Sequence, residues 1–359
     1  MKTTALYNKH LDLNARMVDF FSYEMPVQYT GIVNEHIAVR NACGIFDVSH
    51  MGEFLISGEN AELFINKVTI NDISKLKPGD AQYSAMCNEN GGIIDDFLIY
   101  RFNDHFMMVP NASNIEKDFN WLINHSLNDV IIKDVSQETS LIALQGPDSR
   151  NILQKIINMD ITDLKFSTFI EEQISGKNVI IARTGYTGEL GFELYTDNVM
   201  IRKLWDLIID VGGVTPCGLG CRDTLRIEMK FCLYGNDIDE TTNPIEAGLG
   251  WITKTGKQEF IGKEAVLTSK RNNTRRLVSF EMMERAVPRK GYKIFFQGDE
   301  IGGVTSGTQS PSLQKGIGLG YVQEGKHKPG TEIEVEIRGK IKKAMIVKPP
   351  FYKDGTRLS

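Results

Sequence analysis

The chain has 359 residues, more than one hydrophobic core usually serves, so we expect two or three domains. Hydrophobic residues make up 41% and charged residues 24%, which fits a globular protein and argues against disorder. The 41 lysine and arginine residues against 46 acidic ones give a net charge of −5, which argues against a general nucleic-acid binder.

Cysteine usage and hydropathy bear on the cellular compartment. Five scattered cysteines do not form a disulfide framework, and Cys217 and Cys221 lack a second pair that would complete a zinc site. Reduced thiols are therefore expected. No apolar run reaches the length of a membrane span (about 18 residues), and residues 1–20 lack the apolar segment of a signal peptide. We expect a cytoplasmic protein without a membrane partner.

Strands and short helices alternate through the first half of the chain. Residues 52–58 (GEFLISG) form an apolar run between glycines, which predicts a strand, and residues 59–69 predict a short helix. A strand that leads into a helix is predicted around Asn114, the expected N-cap. The same pattern recurs after the turn at Gly146 and Pro147.

The second half of the chain changes character towards its end. Residues 178–196 predict two strands joined by a glycine-containing loop, and residues 198–213 predict a helix that ends at two glycines. Segment 270–277 (KRNNTRRL) is polar, lacks apolar periodicity and is taken as a linker. Short strands with glycine turns follow, so we predict a first domain of residues 1–270 and a small all-β domain of residues 275–359.

Common signatures of nucleotide and metal sites are absent from the sequence. There is no phosphate-binding loop, and Gly185, Gly188 and Gly191 have neither the spacing nor the helix of a dinucleotide fingerprint. The six histidines never cluster with one another at i, i+4 spacing, so a metal site or a Ser/His/Asp triad has no sequence support. The basic stretch 338–348 is either a solvated strand face or a landing site for an acidic partner or a polyanionic tail.

Two adjacent aspartates interrupt the apolar strand predicted within residues 90–102 (NGGIIDDFLIYRF). Alternation places Asp95 and Asp96 on opposite faces, and apolar residues follow on both, so at least one carboxylate is semi-buried. Burial raises the pKa of a carboxyl group unless hydrogen bonds compensate. Alternatively, one aspartate caps the Gly91-Gly92 turn and the other faces solvent. Alternation does not say which of the two is functional.

Two further polar sites stand out. Glu193 lies within a predicted apolar strand, where the choice is between a functional acid and an exposed strand position. Arg222, Arg226 and Met229 share one helical stripe with Asp223 beside it, which favours a surface helix held by ion pairs. Taken singly, neither feature decides a function.

A series of sequence blocks, taken together, carries a family resemblance. The blocks are MVDF…MPVQY (17–29), GIFDVSHMGEF (44–54), NENGGIIDDFLIY (88–100), IALQGP (142–147), ARTGYTGELGFEL (182–194), CGLGCRDTLRIE (217–228), LYGNDIDETTNP (233–244) and GVTSGTQSPSL (303–313). In this order they closely resemble the aminomethyltransferases, the T-proteins of the glycine cleavage system. The resemblance covers essentially the whole chain.

The resemblance implies both a fold and a reaction. The fold would be α+β, a cloverleaf of two mixed antiparallel-sheet and helix lobes plus a C-terminal all-β barrel around a central folate cavity. In the reaction, lipoylated H-protein delivers an aminomethyl group to tetrahydrofolate, and the products are methylenetetrahydrofolate, ammonia and dihydrolipoyl H-protein. We expect neither a metal nor a nucleotide cofactor, and no nucleic-acid partner.

The resemblance also implies roles for individual residues. Asp96 matches the catalytic acid near the reacting nitrogens of the folate, which leaves Asp95 as a structural residue at the turn. Glu193 matches the acid that accepts a pair of hydrogen bonds from the pterin edge, and Arg357 lies near the arginine that can meet the glutamate tail. The implied folate-binding residues are Tyr83, Asn111, Tyr186, Glu193, Arg222 and Arg357.

Two alternatives on the same scaffold stay open at the level of sequence. One is another folate-dependent enzyme, such as a demethylase. The other is the non-enzymatic folate-binding protein of iron–sulfur cluster assembly, which has a cysteine in the loop where this chain has Thr184 and Gly185. The chain departs from many relatives at Cys221 and at residues 21–23 (FSY), but at none of the matched polar positions.

Overall fold

The structure, a computed structural model, describes residues 1–359. The helices are α1 (Tyr7–Asp12), α2 (Ile32–Asn41), α3 (Ala61–Val68), α4 (Ile115–Asn124), α5 (Ser149–Leu153), α6 (Met200–Val211), α7 (Leu219–Glu228) and α8 (Lys263–Arg271). The strands are β1 (Arg16–Phe20), β2 (Tyr23–Gln28), β3 (Gly44–Asp47), β4 (Phe54–Ser57), β5 (Ala81–Cys87), β6 (Ile93–Arg101), β7 (His105–Val109), β8 (Ile131–Asp134), β9 (Thr139–Gln145), β10 (Phe169–Ile174), β11 (Lys177–Ala182), β12 (Gly191–Asp197), β13 (Thr215–Pro216), β14 (Arg275–Met282), β15 (Lys293–Phe296), β16 (Asp299–Gln309), β17 (Gly316–Gln323), β18 (Glu332–Ile337) and β19 (Lys340–Val347).

Two large sheets and the two-stranded antiparallel sheet β1-β2 precede the barrel and make up the body of the molecule. One large sheet has the strand order β10-β11-β12-β9-β3-β13 and the other β5-β6-β7-β4-β8. Every pairing in them is antiparallel except that of β13 with β3. Strand β3 pairs with both β9 and β13, so strands from the first 50 residues and from residues 215–216 belong to the same sheet.

The remaining large sheet is a closed barrel with the order β14-β17-β16-β15-β18-β19. This confirms the predicted α+β fold with a C-terminal all-β barrel. The predicted linker 270–277 is wrong in extent, because α8 continues to Arg271 and β14 begins at Arg275. The Arg275 guanidinium also pairs with Glu246 at 2.9 Å, which holds the first barrel strand against the body.

Apolar side chains from alternate strand positions form the cores. Phe192 and Leu194 of β12 pack with Trp205 of α6 in one core, while Tyr195, on the opposite face of β12, packs with Tyr100 in another. Burying one such side chain stabilises the fold by roughly 1.5–3 kcal/mol. The second core lies between the two sheets, so it fixes the position of β6 relative to β12.

Buried polar contacts join the body to the barrel. The carboxylate of Glu228, at the end of α7, accepts hydrogen bonds from Arg40 of α2 at 2.8 Å and from Ser310 and Ser312 beside the barrel at 2.5 and 2.9 Å. His36 of α2 lies 3.3 Å from the same carboxylate. Glu228 is fully buried, so it ties together three segments that are distant in sequence.

Most of the local predictions are confirmed. The strand expected at residues 52–58 is β4, the helix expected at 59–69 is α3, and α6 ends at Gly212, whose φ of 82° suits a glycine. Asn114 precedes α4 as predicted, but its side chain does not cap the helix. It donates instead to Asp95, because that buried carboxylate has a greater need for donors.

Several remaining sequence predictions concern the surface and the thiols. All five cysteines are free and buried. Within the basic stretch 338–348, Lys342 pairs with Glu284 at 2.7 Å and Lys343 with Glu332 at 2.8 Å, as on a solvated strand face. No helix of the structure has the length and apolar character needed to cross a bilayer.

Candidate active site

A cavity of about 810 Å³ lies between the two sheets, helix α7 and the segment that follows the barrel. Of its 41 lining residues, 22 are hydrophobic, which is typical of a site that encloses an organic ligand. The cavity brings together all seven residues singled out by the sequence. They are Tyr83, Asp96, Asn111, Tyr186, Glu193, Arg222 and Arg357.

Asp96 projects from β6 into this cavity. Its Oδ2 accepts a hydrogen bond from the Tyr83 hydroxyl at 2.7 Å, and its Oδ1 accepts one from Asn111 Nδ2 at 3.1 Å. Burial, and then the negative charge of Asp95, raise the pKa of Asp96 to about 7, although both hydrogen bonds oppose the rise. A carboxyl group with this pKa can accept or donate a proton at neutral pH.

Asp95 is fully buried on the other face of β6. It accepts hydrogen bonds from the Asn111 backbone N–H at 2.9 Å, from Asn111 Nδ2 at 2.8 Å and from Asn114 Nδ2 at 2.6 Å. The prediction that Asp95 serves the Gly91-Gly92 turn is wrong, because Asn88 Oδ1 accepts the N–H of Gly92 there, at 3.0 Å. Asp95 instead anchors the segment before α4.

Asn111 links the two aspartates. Its side-chain NH₂ group faces Asp95 Oδ1 at 2.8 Å, the backbone oxygen of Asp96 at 2.8 Å and Asp96 Oδ1 at 3.1 Å. Three acceptors fix the amide orientation, since the opposite flip would set its carbonyl oxygen against them. Asn111 Oδ1 then has no donor from the protein and is free to accept one from a ligand in the cavity.

Glu193 projects from β12 into the cavity and is only 7% exposed, so the exposed alternative is wrong. Thr184 Oγ1 donates to Glu193 Oε2 at 2.5 Å, and the hydroxyl of Tyr100 lies 3.4 Å from Thr184 Oγ1. Burial raises the pKa of Glu193 above its usual range, although Thr184 and Arg222 oppose this. No protein donor reaches Oε1, which leaves one carboxylate oxygen for a ligand.

Cations and aromatic rings alternate along another part of the lining. The Arg222 guanidinium lies 4.6 Å from the ring centre of Tyr186, which stacks on Phe231 at 5.6 Å. The Arg357 guanidinium lies 5.7 Å from Phe231 and 5.3 Å from Phe166. The rings hold the two guanidinium groups in place, and neither pairs with a carboxylate of the protein. Both can therefore bind an anionic ligand.

Sequence reasoning did not predict several residues of the lining, among them Lys230 and Trp251. Lys230 has a φ of 59°, lines the cavity and makes no ion pair. Trp251 is 66% exposed and stacks on Tyr83 with 6.1 Å between ring centres. A lysine in the left-handed region is uncommon, but φ cannot be read from the sequence. Trp251 lies in a loop without periodicity, so no local pattern could assign it to the cavity.

Helix α7 is not the surface ion-pair helix that was predicted. Arg226 is 1% exposed, and its guanidinium contacts Asp237 at 2.6 Å, Asp223 at 2.9 Å and Ser306 at 2.7 Å. The helix is buried because barrel strand β16 packs against it. Arg226 thus joins the body to the barrel, while Arg222, one turn earlier, faces the cavity.

One further cluster of titratable groups has most of its acceptor capacity used within the protein. Glu35, Cys217 and Cys221 have side-chain ligand atoms within 4.8 Å of one another. The Glu35 carboxylate already accepts four backbone N–H groups, including that of Gly218 at 2.9 Å, which leaves it little capacity for a metal ion. In the cavity, burial and the charge of Arg222 lower the pKa of His50 to about 4.

A partly closed cavity with two buried carboxylates and unpaired guanidinium groups defines an enzyme site for a large organic anion. Two family descriptions match the sequence: the GCVT N-terminal domain over residues 6–257 and the glycine cleavage T-protein C-terminal barrel domain over residues 275–353. The chain belongs to the glycine cleavage T-protein family. Its function is that of an aminomethyltransferase of the glycine cleavage system, a family that uses tetrahydrofolate as substrate.

Individual relatives match over almost their full length. The aminomethyltransferase of Halothermothrix orenii is 48% identical over 356 residues, which cover 98% of this chain and 100% of the relative. That of Bacteroides fragilis is 48% identical over 361 residues, with the same coverage. The crystal structure of the glycine cleavage system aminomethyltransferase T of Bartonella henselae has a TM-score of 0.93 at 33% identity and covers 99% of both chains. These matches confirm the family resemblance and do not favour the two alternatives.

Proposed function

We propose that the cavity binds tetrahydrofolate and that the one-carbon unit reaches it from aminomethyl-lipoyl H-protein. Two C–N bonds form, at N5 and N10 of the folate. The C–S and C–N bonds of the donor break, and the two folate protons leave with ammonia and the dihydrolipoyl thiol. The single observation that carries the proposal is the presence of Asp96, Glu193 and Arg222 in one cavity, where Glu193 Oε1 and the Arg222 guanidinium have no protein partner in a hydrogen bond or an ion pair.

Glu193 is proposed to bind the pterin edge. A carboxylate recognises adjacent N–H donors well because its two oxygens accept in parallel. Thr184 holds Oε2, so Oε1 and the second lone pair of Oε2 face the ligand. The burial that raises the pKa of Glu193 also strengthens each hydrogen bond it makes, since water does not compete in the closed site.

Asp96 is proposed to be the catalytic residue. Its carboxylate takes a proton from the folate nitrogen as the new C–N bond forms, and the protonated group can return it to the departing ammonia. A pKa of about 7 suits both directions of transfer. Tyr83 and Asn111 bind opposite oxygens of the carboxyl group, so they orient it while proton transfer occurs.

The cationic lining is proposed to hold the glutamate tail of the folate. Arg222 and Arg357 have guanidinium groups without protein carboxylates, and Tyr186 lies between Arg222 and Phe231. An ion pair in a partly closed cavity is worth more than one on the surface, because screening by water and salt is weaker. No metal ion or nucleotide takes part in the proposed reaction.

The partner and the domain division are part of the proposal. Lipoylated H-protein is the proposed donor, since the family acts within the glycine cleavage system. We also propose a cytoplasmic location and a boundary between residues 270 and 275. Support for the boundary comes from the second family match, which begins at residue 275 together with strand β14.

The decisive experiment measures methylenetetrahydrofolate formation from tetrahydrofolate and aminomethylated H-protein, with methylated donors as a parallel assay. Asp96→Asn should reduce turnover by about 100-fold or more while tetrahydrofolate still binds, because the proton acceptor is lost and the shape is kept. Near wild-type turnover would remove Asp96 from the mechanism. Turnover with methylated donors alone would replace the proposed reaction by demethylation.

A second experiment tests the pterin site. Glu193→Ala leaves the pterin donors without an acceptor, so tetrahydrofolate affinity should fall by at least about 1–3 kcal/mol. Isothermal titration measures this directly. Thr196→Ala is the control, because Thr196 lies on the same strand but donates to the backbone oxygen of Asn178 instead. Equal affinity of Glu193→Ala and the control would contradict the assignment.

A further inference from the structure

A hydrogen-bonded chain of side chains runs from the interior of the body to Asp96. It begins at Asp95, which accepts a hydrogen bond from Asn111 Nδ2, and the fully buried Asp118 of α4 lies beside Asp95. Asn111 ends the chain by donating to Asp96 Oδ1 at 3.1 Å. Only Asp96 and Asn111 of these four residues line the cavity, so the other two act on the site without touching a ligand.

The buried carboxyl group of Asp118 can form a hydrogen bond to its surroundings only in its protonated form. Neither of its carboxyl oxygens accepts a hydrogen bond from an N–H or O–H group of the protein. Burial, and then the charge and hydrogen bond of Asp95, raise its pKa well above the usual range. In its protonated form Asp118 donates to Asp95. Burial raises the pKa of Asp95, and the hydrogen bonds from Asp118, Asn111 and Asn114 oppose that rise.

The hydrogen-bond donors around Asp95 favour its charged form, against the burial that raises its pKa. With the protonated Asp118, four hydrogen bonds reach its carboxylate, and the donors are Asn111, which contributes two, Asn114 and Asp118. A carboxylate that accepts this many hydrogen bonds can keep its negative charge even when buried. Neither Asp95 nor Asp96 forms an ion pair with a lysine or an arginine.

The other ionisable groups around the pair do not cancel this charge. Lys117 of α4 lies near the pair, but its ammonium group contacts the backbone oxygen of Ile94 at 2.7 Å, Tyr234 at 2.8 Å and Glu240 at 3.3 Å instead of either aspartate. Burial raises the pKa values of the neighbouring groups Tyr83, Tyr186, Cys232 and Asp118, which favours their neutral forms. The cations Arg222 and Lys230 line the same cavity, and neither forms an ion pair with Asp96.

We propose that Asp95 is a positioning residue for the reaction. It holds the Asn111 amide against Asp96, and its buried charge makes Asp96 retain a proton up to neutral pH. Asn111 couples the positions of the two carboxyl groups, since one of its N–H bonds is directed at Asp95 and the other at Asp96. The proposal rests on the catalytic role proposed for Asp96, but its main prediction concerns proton binding and does not require turnover.

The test compares the protonation midpoint of Asp96 in two variants of the full chain. Asp95→Asn removes the buried charge, so the midpoint should move down by about one pH unit, the effect of losing a like charge nearby. Asp118→Asn is the matched control, because Asp118 is already neutral and an amide still donates to Asp95. Its midpoint should stay at the wild-type value.

Two readouts separate this proposal from the catalytic one. Carboxyl-carbon NMR titration of aspartate-labelled protein, with Asp96 identified by the resonance lost in Asp96→Asn, reports the midpoint directly. The pH dependence of kcat/KM should show its acid limb shifted in the same direction. If Asp96→Asn retains turnover, the catalytic role fails while the NMR result still decides the role of Asp95.

Two outcomes would refute the role proposed for Asp95. An unchanged Asp96 midpoint in Asp95→Asn, in protein that melts like the wild type, refutes the proposal. Asp95→Ser, which also removes the charge and keeps an acceptor oxygen, replaces Asp95→Asn if that variant does not fold. If both variants fail to fold while Asp118→Asn folds, Asp95 belongs to the scaffold alone and the proposal is wrong.

Discussion

Glu228 allows a quantitative prediction of stability against pH. Burial would raise the pKa of its carboxyl group, but His36, Arg40 and Ser310 outweigh burial and lower the pKa from 4.5 to about 2. Such a difference in the pKa of Glu228 between the unfolded and folded states contributes roughly 3 kcal/mol to the free energy of unfolding, at about 1.4 kcal/mol for each pKa unit. Because the folded pKa is the lower one, this stability is fully present above pH 4.5 and is lost as the pH falls through 2.

The substitution Glu228→Gln removes the titrating group and keeps its shape. At pH 7 it should destabilise the protein by at least about 3 kcal/mol, because it also leaves the buried Arg40 with one anionic partner, Glu189. At pH 3 the part of this destabilisation that comes from the lowered pKa of Glu228 should be smaller by about 2 kcal/mol. Urea unfolding of both proteins at the two pH values measures this, and subtraction removes the titration of other groups.

The control substitution removes a carboxylate that is exposed to solvent, in contrast to the buried Glu228. Glu324→Gln, on the barrel surface, removes an ion pair with Arg276 that water largely screens, and it should change stability little at either pH. If the destabilisation by Glu228→Gln were the same at pH 7 and pH 3, the hydrogen bonds of Glu228 would not favour its charged form. The electrostatic reasoning about this buried network would then be wrong.

Three further predictions concern other sites. Lys257→Met should lower the melting temperature sharply, because the ammonium group contacts three buried backbone oxygens at 2.5–2.7 Å, each costing about 1–3 kcal/mol if left unpaired; an unchanged melting curve would contradict this. Lys230→Ala should weaken tetrahydrofolate binding about threefold in low salt and less in high salt, as measured by titration calorimetry. Equal affinities in low salt would exclude Lys230 from ligand binding. Gly92→Ala should impair both folding and turnover, because a Cβ atom there would lie 1.9 Å from the backbone oxygen of Glu240; a fully active, normally melting variant would refute the close contact.

Local pattern predicted those features that depend on neighbours in sequence. Alternation placed Asp95 and Asp96 on different faces of β6, and it placed Glu193 opposite Phe192 on β12. Both results follow from the period of a strand, which holds whatever packs on it. The choice of Asp96 for the cavity, however, came from the family resemblance, since alternation treats the two faces alike.

The predictions that were wrong concern residues whose contacts come from segments far away in the sequence. Asp95 was assigned to the preceding turn because nothing in the strand shows that Asn111, 16 residues later, would return to it. The helix α7 was taken as a surface element because its sequence does not reveal the barrel that covers Arg226. Likewise, His10 pairs with Asp47 at 2.8 Å in the interior, although the two residues lie 37 positions apart in the sequence.

The position of Trp251 makes the cavity observable by light. Of the three tryptophans, Trp205 is buried in a core, whereas Trp251 is 66% exposed and stacks on Tyr83, next to the carboxyl group of Asp96. Tryptophan emission depends on how much water surrounds the indole ring and on which rings stack against it. A ligand that fills the cavity would change both, so the unlabelled enzyme carries its own fluorescent indicator of occupancy, and Trp251→Phe supplies the blank.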